Sequence, residues 1–251
     1  MKTKNLLAVM LVIVMASCLF ACGSDDNSSE SESATSAATA TATAAADEDY
    51  DAMTYEEYTA ADLDTEVTVA CYVQATQSWW NDVITVYAAD EDGAYFIYEM
   101  ACSEEDAEKL VAGTRILVTG YKSEWSGEIE ITDATFKFID GDSYYVGATD
   151  VTELLGTDEL INYQNQLVSF TGMTVEAIEY KNGEPGDDIY VTLSLNGESY
   201  DFCVEVYLTG TDTEVYTTVG ELAIGDVVNV EGYLYWYNGM NPHITSIAIA
   251  E

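Results

Sequence analysis

The chain has 251 residues, 48% of them hydrophobic and 12% aromatic, so it carries enough apolar surface to fold and is not a disordered polymer. It has 46 acidic residues against 7 basic ones, a formal net charge of -39. Nucleic-acid binding rests largely on Lys and Arg neutralising phosphates, so this balance argues against DNA or RNA as a partner and for a soluble, solvated surface; the sharper reading is cation binding or a basic partner.

From Met1 to Ala21 two lysines precede an apolar run from Leu6 through Met15, and small residues then lead to Cys22, the order of a secretory signal peptide. The end of this segment, Leu19-Phe20-Ala21-Cys22-Gly23, resembles the lipobox of bacterial lipoproteins. That resemblance implies cleavage before Cys22 and acylation of its thiol. Cys18 is a rival site, disfavoured because cleavage there leaves Leu19-Phe20-Ala21 ahead of a polar linker. An uncleaved transmembrane anchor competes as a reading, but the apolar run is near the lower limit of ~17 residues for a span. The expected location is the extracytoplasmic face of the cell membrane, with the membrane as a partner through N-terminal acyl chains. Residues 22–51 are Ser, Ala, Thr, Asp and Glu with no aromatic before Tyr50, an acidic tether that cannot bury enough surface to fold.

The folded part repeats itself. Gly113, Gly120 and Gly127 recur as Gly225, Gly232 and Gly239, each 112 positions later, and Tyr121 recurs as Tyr233. Self-similarity of this kind implies two copies of one module, and the many Val, Thr and Tyr make the module β-rich. In the first copy, residues 52–147, the segment 67–75 alternates apolar and polar as a half-buried strand does. Segments 83–87 and 94–100 follow as a hairpin around Asp90-Glu91-Asp92-Gly93. That acidic turn lacks the ligand spacing of a calcium loop, since Ala88 stands where an acid is needed. Ser103 then caps a short helix that ends before Gly113, and strands 115–125 and 128–138 complete the set.

Three strands, a helix and two strands resemble the OB-fold, a five-stranded Greek-key barrel. More narrowly, both copies are similar to the anticodon-binding-like OB domains of bacterial lipoproteins of unassigned role. The resemblance implies two tandem OB-like barrels. In the second copy, residues 148–251, a capped helical segment over 150–163 leads into a strand over 166–177. Its alignment with the first copy slips by one residue after Gly172, the mark of a β-bulge. A long turn over 181–188, strands 189–195 and 199–208, a weak helix capped at Thr211, and strands 227–237 and 243–250 follow.

Candidates for chemistry are few. Cys71, Cys102 and Cys203 have no metal-like spacing; one disulfide among them is open, and buried free thiols are the alternative. His243 is the one histidine, lacks a nucleophile motif, and is expected at the surface. No metal site, cofactor motif or catalytic residue is expected, and no enzyme. Trp79 and Trp80 fall in the loop between strands one and two, Trp125 at the turn between strands four and five with Tyr121 facing outward on strand four, and Trp236 and Tyr237 at that turn in the second copy. The OB resemblance makes these two loops the ligand site, and aromatics among acids suit a glycan, peptide or protein ligand. Capping of barrel ends by the same rings is the competing reading. The expected function is a non-catalytic binding module; the alternatives are a hydrolase using carboxylates and a purely structural accessory subunit.

Overall fold

Alternation along Glu66–Thr76 makes strand β1: Val67, Val69, Cys71 and Val73 are buried and the residues between them are not. The computed structural model describes residues 50–250, so the leader, Cys22 and nearly all of the expected tether lie outside the described residues. No described helix is long and apolar enough to cross a membrane. Helix α1 (Tyr55–Ala60) precedes β1 and is closed at its start by a capping box, Thr54 with Glu57. At its other end the buried Lys122 ammonium donates to the carbonyls of Tyr58, Thr59 and Ala61 at 3.1, 2.8 and 2.8 Å.

Strands β2 (Val83–Ala89) and β3 (Ala94–Ala101) form the expected hairpin. Asp90 fixes its turn by accepting from the N–H groups of Asp92 and Gly93, both at 2.8 Å. Helix α2 (Glu104–Ala107), capped by Ser103, is a single turn, shorter than expected because the chain bends to bury Leu110. Strands β4 (Arg115–Trp125) and β5 (Glu128–Phe138) follow, and the five strands close into a barrel in the order β1-β2-β3-β5-β4, with only the β3–β5 pairing parallel. This is the connectivity of the OB-fold.

The segment 150–163 is not the capped α-helix expected. It starts as β6 (Thr149–Asp150), parallel to the next strand, and continues as two 3-10 turns at Thr152–Leu154 and Leu160–Tyr163. The second sheet holds β7 (Leu167–Tyr180), β8 (Ile189–Leu195), β9 (Glu198–Val204), β10 (Val227–Tyr233) and β11 (His243–Ile249), and β10 pairs with β11 on one side and β7 on the other. Between β9 and β10 lie α3 (Val206–Thr209) and α4 (Glu214–Glu221). Helix α4 is capped by Thr213, not Thr211, and is longer than α2 despite its poor helix formers, because burial of Tyr216 and Val219 outweighs propensity. The slip in the repeat is visible in the ladder: Val228 pairs with Met173 but Val230 with Phe170, which leaves one extra residue on β7 beside Gly172 at φ +68°.

The repeated glycines do the same work in both copies. Gly113 and Gly225 open their strands at φ +85° and +95°. At Gly120 a Cβ would lie 2.7 Å from the Thr132 carbonyl, and at Gly232 it would overlap the carbonyl of His243. We expect Gly232→Ala to destabilise the protein by roughly 1–3 kcal/mol through overpacking, and Gly197→Ala, in open space at φ +88°, by about 1 kcal/mol through backbone strain alone. Urea unfolding of the two variants, followed by tryptophan fluorescence, checks the ranking.

Candidate functional site

The surface that an OB barrel uses for ligands, the outer face of strands two and three with the two flanking loops, is covered in the first module by the second. Tyr87 and Phe96 point away from the first barrel's core yet are buried. They pack with Tyr233 and Tyr235: the Tyr87 and Tyr233 rings stack at 4.3 Å and 12°, and Phe96 meets Tyr235 edge-on at 5.4 Å. The loop before β2 is held to α3, with the Ser78 N–H donating to the Tyr207 carbonyl at 2.6 Å and Gln77 Nε2 to Glu205 Oε2 at 3.0 Å. The turn between β4 and β5 is held by the Asn238 N–H on the Ser126 carbonyl at 2.7 Å, by Gln164 Nε2 on the Gly127 carbonyl at 2.8 Å, and by the Trp236 N–H on Glu128 Oε2 at 2.8 Å. Residues 234–242 leave the ladder to make these contacts, so β10 stops at Tyr233 and not near residue 237.

His243 is the largest departure from the sequence reading. It is buried, not at the surface: Nδ1 lies 3.0 Å from the Tyr87 hydroxyl, and the ring stacks on Tyr235 at 4.5 Å. Burial holds its pKa down at about 4, so the imidazole is neutral in the fold. Two carboxyls at the seam shift the other way. Burial pushes Glu128 up to about 8, against the donors Trp236, Asn165 and Gln164. Burial, then the charge of Asp188, push Glu205 up to about 7. The apolar run of β2, Val-Ile-Thr-Val-Tyr-Ala-Ala, broken only by Thr85, was the sequence signal for burial on both faces.

The six aromatics singled out from the sequence differ in exposure and surroundings. Trp79 is half-buried against the first core and donates from Nε1 to the Cys102 carbonyl at 2.8 Å, so it caps the barrel. Trp236 is half-buried with its ring against Gly127. Tyr121, Trp125 and Tyr237 are exposed, the last two flanking the contact in which the Asn238 N–H meets the Ser126 carbonyl. Trp80 is 76% exposed and does line a groove. It is held there by a two-residue turn, Asn81 and Asp82 at φ +49° and +64°, with paired 3.0 Å hydrogen bonds between Trp80 and Val83. The groove, about 380 Å³, runs along the seam and is lined by Gln77, Ser78, Trp80, Thr85, Glu99 and the exposed Tyr207.

The remaining groups are accounted for. Cys71, Cys102 and Cys203 are buried free thiols. Among the described residues no His, Cys, Asp and Glu side chains cluster in a way that could hold a metal ion. Each of the five described cations is engaged. Lys109 pairs with Glu105 and Asp106, Lys181 with Asp187 and Asp188, and Lys122 caps α1. Arg115 donates to the Asp140 carbonyl and lies over Tyr72, and Lys137 lies over Tyr50.

No protein family and no curated protein matches the chain. Solved structures do. A murine DNA-binding protein bound with double-stranded DNA is 10% identical, with a TM-score of 0.37 over 73% of this chain and 96% of that one. The Ifi202 HINa domain in complex with 20-base-pair DNA is 14% identical, with a TM-score of 0.35 over 74% and 96%. The asparaginyl-tRNA synthetase of Pyrococcus horikoshii is 17% identical at a TM-score of 0.28, over 34% of this chain and 19% of that one. These neighbours correct two expectations. Similar structures are complexes with DNA, so nucleic acid is not excluded as a partner class, and the glycan, peptide or protein module read from the sequence is withdrawn. At such low similarity they assign no ligand to this chain.

The buried His243 makes the seam sensitive to acid. Its folded pKa, about 4, lies below the ordinary 6.5, so its contribution is present above pH 6.5 and is lost as pH falls through 4. Tyr87→Phe strands Nδ1 without a partner and is expected to lower stability by about 1–3 kcal/mol at pH 7. Thermal melts of wild type and variant from pH 4 to 8 check this, the gap narrowing toward pH 4 as unfolding takes over.

Proposed function

We propose that this chain is a non-catalytic binding protein that takes a planar nucleobase in the seam groove between Trp80 and Tyr207. The observation that carries the reading is the pair of large exposed rings, 76% and 60% accessible, that line one groove, Trp80 from the first module and Tyr207 from the second. Stacking a base on an aromatic ring is worth roughly 1–3 kcal/mol and needs no cation. Glu99 lines the same groove as a carboxylate acceptor, which suits the exocyclic amino group of cytosine or adenine. Because the cations are engaged, phosphates add repulsion, and the favoured ligand is a nucleoside or a short single strand in place of duplex DNA. The signal-like leader and Cys22 support a location at the outer face of the cytoplasmic membrane, where such a ligand would be met in solution.

Titration of the full chain with cytidine, adenosine and a short single-stranded oligonucleotide, read by tryptophan fluorescence, tests the reading. Trp80→Ala and Tyr207→Ala are each expected to weaken nucleoside binding about tenfold, on the order of 1.4 kcal/mol. Glu99→Leu should weaken cytidine more than thymidine. Affinity should be flat or rise with salt, opposite to a phosphate-driven interaction. Absence of nucleoside binding, or binding untouched by both aromatic substitutions, refutes the assignment.

A further inference from the structure

A β-bulge interrupts the β2–β3 hairpin beside the groove. Val86 pairs with Ile97 and Ile84 with Met100, so Thr85 faces two residues, Tyr98 and Glu99. Ile97 and Met100 belong to the first core, and the two residues between them are both exposed. Without the extra residue, the alternation that runs on from Ile97 would turn Glu99 into the barrel. Glu99 takes φ +44°, a backbone conformation that is unfavourable for a residue with a Cβ. Its N–H donates to Thr85 Oγ1 at 3.1 Å, and the Tyr98 hydroxyl donates to its Oε1 at 3.0 Å. Backbone strain held in place by such neighbours concentrates at working sites. Thr85 and Glu99 both line the groove bordered by Trp80 and Tyr207, and Thr85 is buried there, 4% exposed.

We propose, resting on the reading that a base stacks in this groove, that Thr85 and Glu99 together read the Watson–Crick edge of that base and select adenine or cytosine over uracil. Adenine and cytosine present an amino group beside a bare ring nitrogen on that edge, a donor next to an acceptor. Thr85 Oγ1 accepts from the Glu99 N–H, so the hydroxyl's own proton is left to donate, and a ring nitrogen is its complement. Glu99 Oε1 is taken up by Tyr98, which leaves Oε2 to accept from the amino group. Uracil offers a carbonyl and then an N–H on the same edge, the reverse order, and would set its oxygen against the carboxylate. A site built for one order of donor and acceptor rejects the other because its own polar groups are then left unpaired. Thr85 is therefore a specificity-determining residue, and the bulge is the device that sets Glu99 beside it.

Titration of the full chain with adenosine, uridine and 1-deazaadenosine, which keeps the amino group and lacks the ring nitrogen beside it, tests this by tryptophan fluorescence. Adenosine is expected to bind about tenfold more tightly than either of the others, the value of one hydrogen bond made or left unmade. Thr85→Val should bring adenosine down to the level of 1-deazaadenosine and leave 1-deazaadenosine where it was, a pattern that a merely structural role would not give. Thr85→Ser, which keeps the hydroxyl, should keep the preference. Equal binding of adenosine and 1-deazaadenosine by the wild type, or a Thr85→Val variant that weakens both alike, overturns the inference. If the wild type binds nucleosides through Trp80, as loss on Trp80→Ala would show, but without this preference, the inference falls and the stacking reading stands; if it binds none, both fall. Should Thr85→Val fail to fold, the wild-type comparison of adenosine with 1-deazaadenosine decides alone.

Discussion

Tyr87 stacked on Tyr233 is the contact on which the arrangement of the folded chain depends. Aromatic pairs of this kind add about 0.5–1.5 kcal/mol beyond the area they bury, and this one is set among Phe96, Tyr235 and His243, so the seam has a small apolar core of its own. The turn and loop on either side contribute hydrogen bonds that a sliding interface would break. From that closure it follows that Tyr87 and Phe96 on β2 and β3 are packed against the second module, and that Tyr207 completes a groove otherwise lined by the first.

Burying that seam brings ionisable groups inside. His243 is held neutral by low dielectric surroundings, and Glu128 and Glu205 are pushed toward their neutral acids for the same reason. Each contribution runs in a different direction with pH, so the seam loses stability under acid through the histidine and under mild alkali through the carboxyls. For a chain so rich in carboxylates, placing two of them where charge is disfavoured joins folding to protonation at a few defined atoms and not over the surface at large.

Much of the fold was legible in the chain. The glycine repeat marked equivalent strands because four of its members have positive φ and the other two have no room for a Cβ, reasons that act through the local backbone. Hairpins, the Ser103 cap and the β7 bulge were legible for the same reason. Less so were α4, whose β-branched residues disfavour a helix until Tyr216 and Val219 are buried, and the 3-10 turns before β7. Helix α1 was missed although Thr54 and Glu57 spell out its capping box.

The site divides along the same line. Composition alone determined a mostly β chain, short of cations and rich in aromatics, because strand propensity and charge are properties of residue types. Which rings share a groove was decided only by the tertiary structure: Trp80 and Tyr207 line one groove from positions 127 residues apart, while Trp79 turns inward to cap a barrel. The same is true of His243, whose burial depends on Tyr87 and Tyr235 closing over it. Outward positions on a strand read as solvent-facing until a second module covers them, and no local pattern specifies that partner.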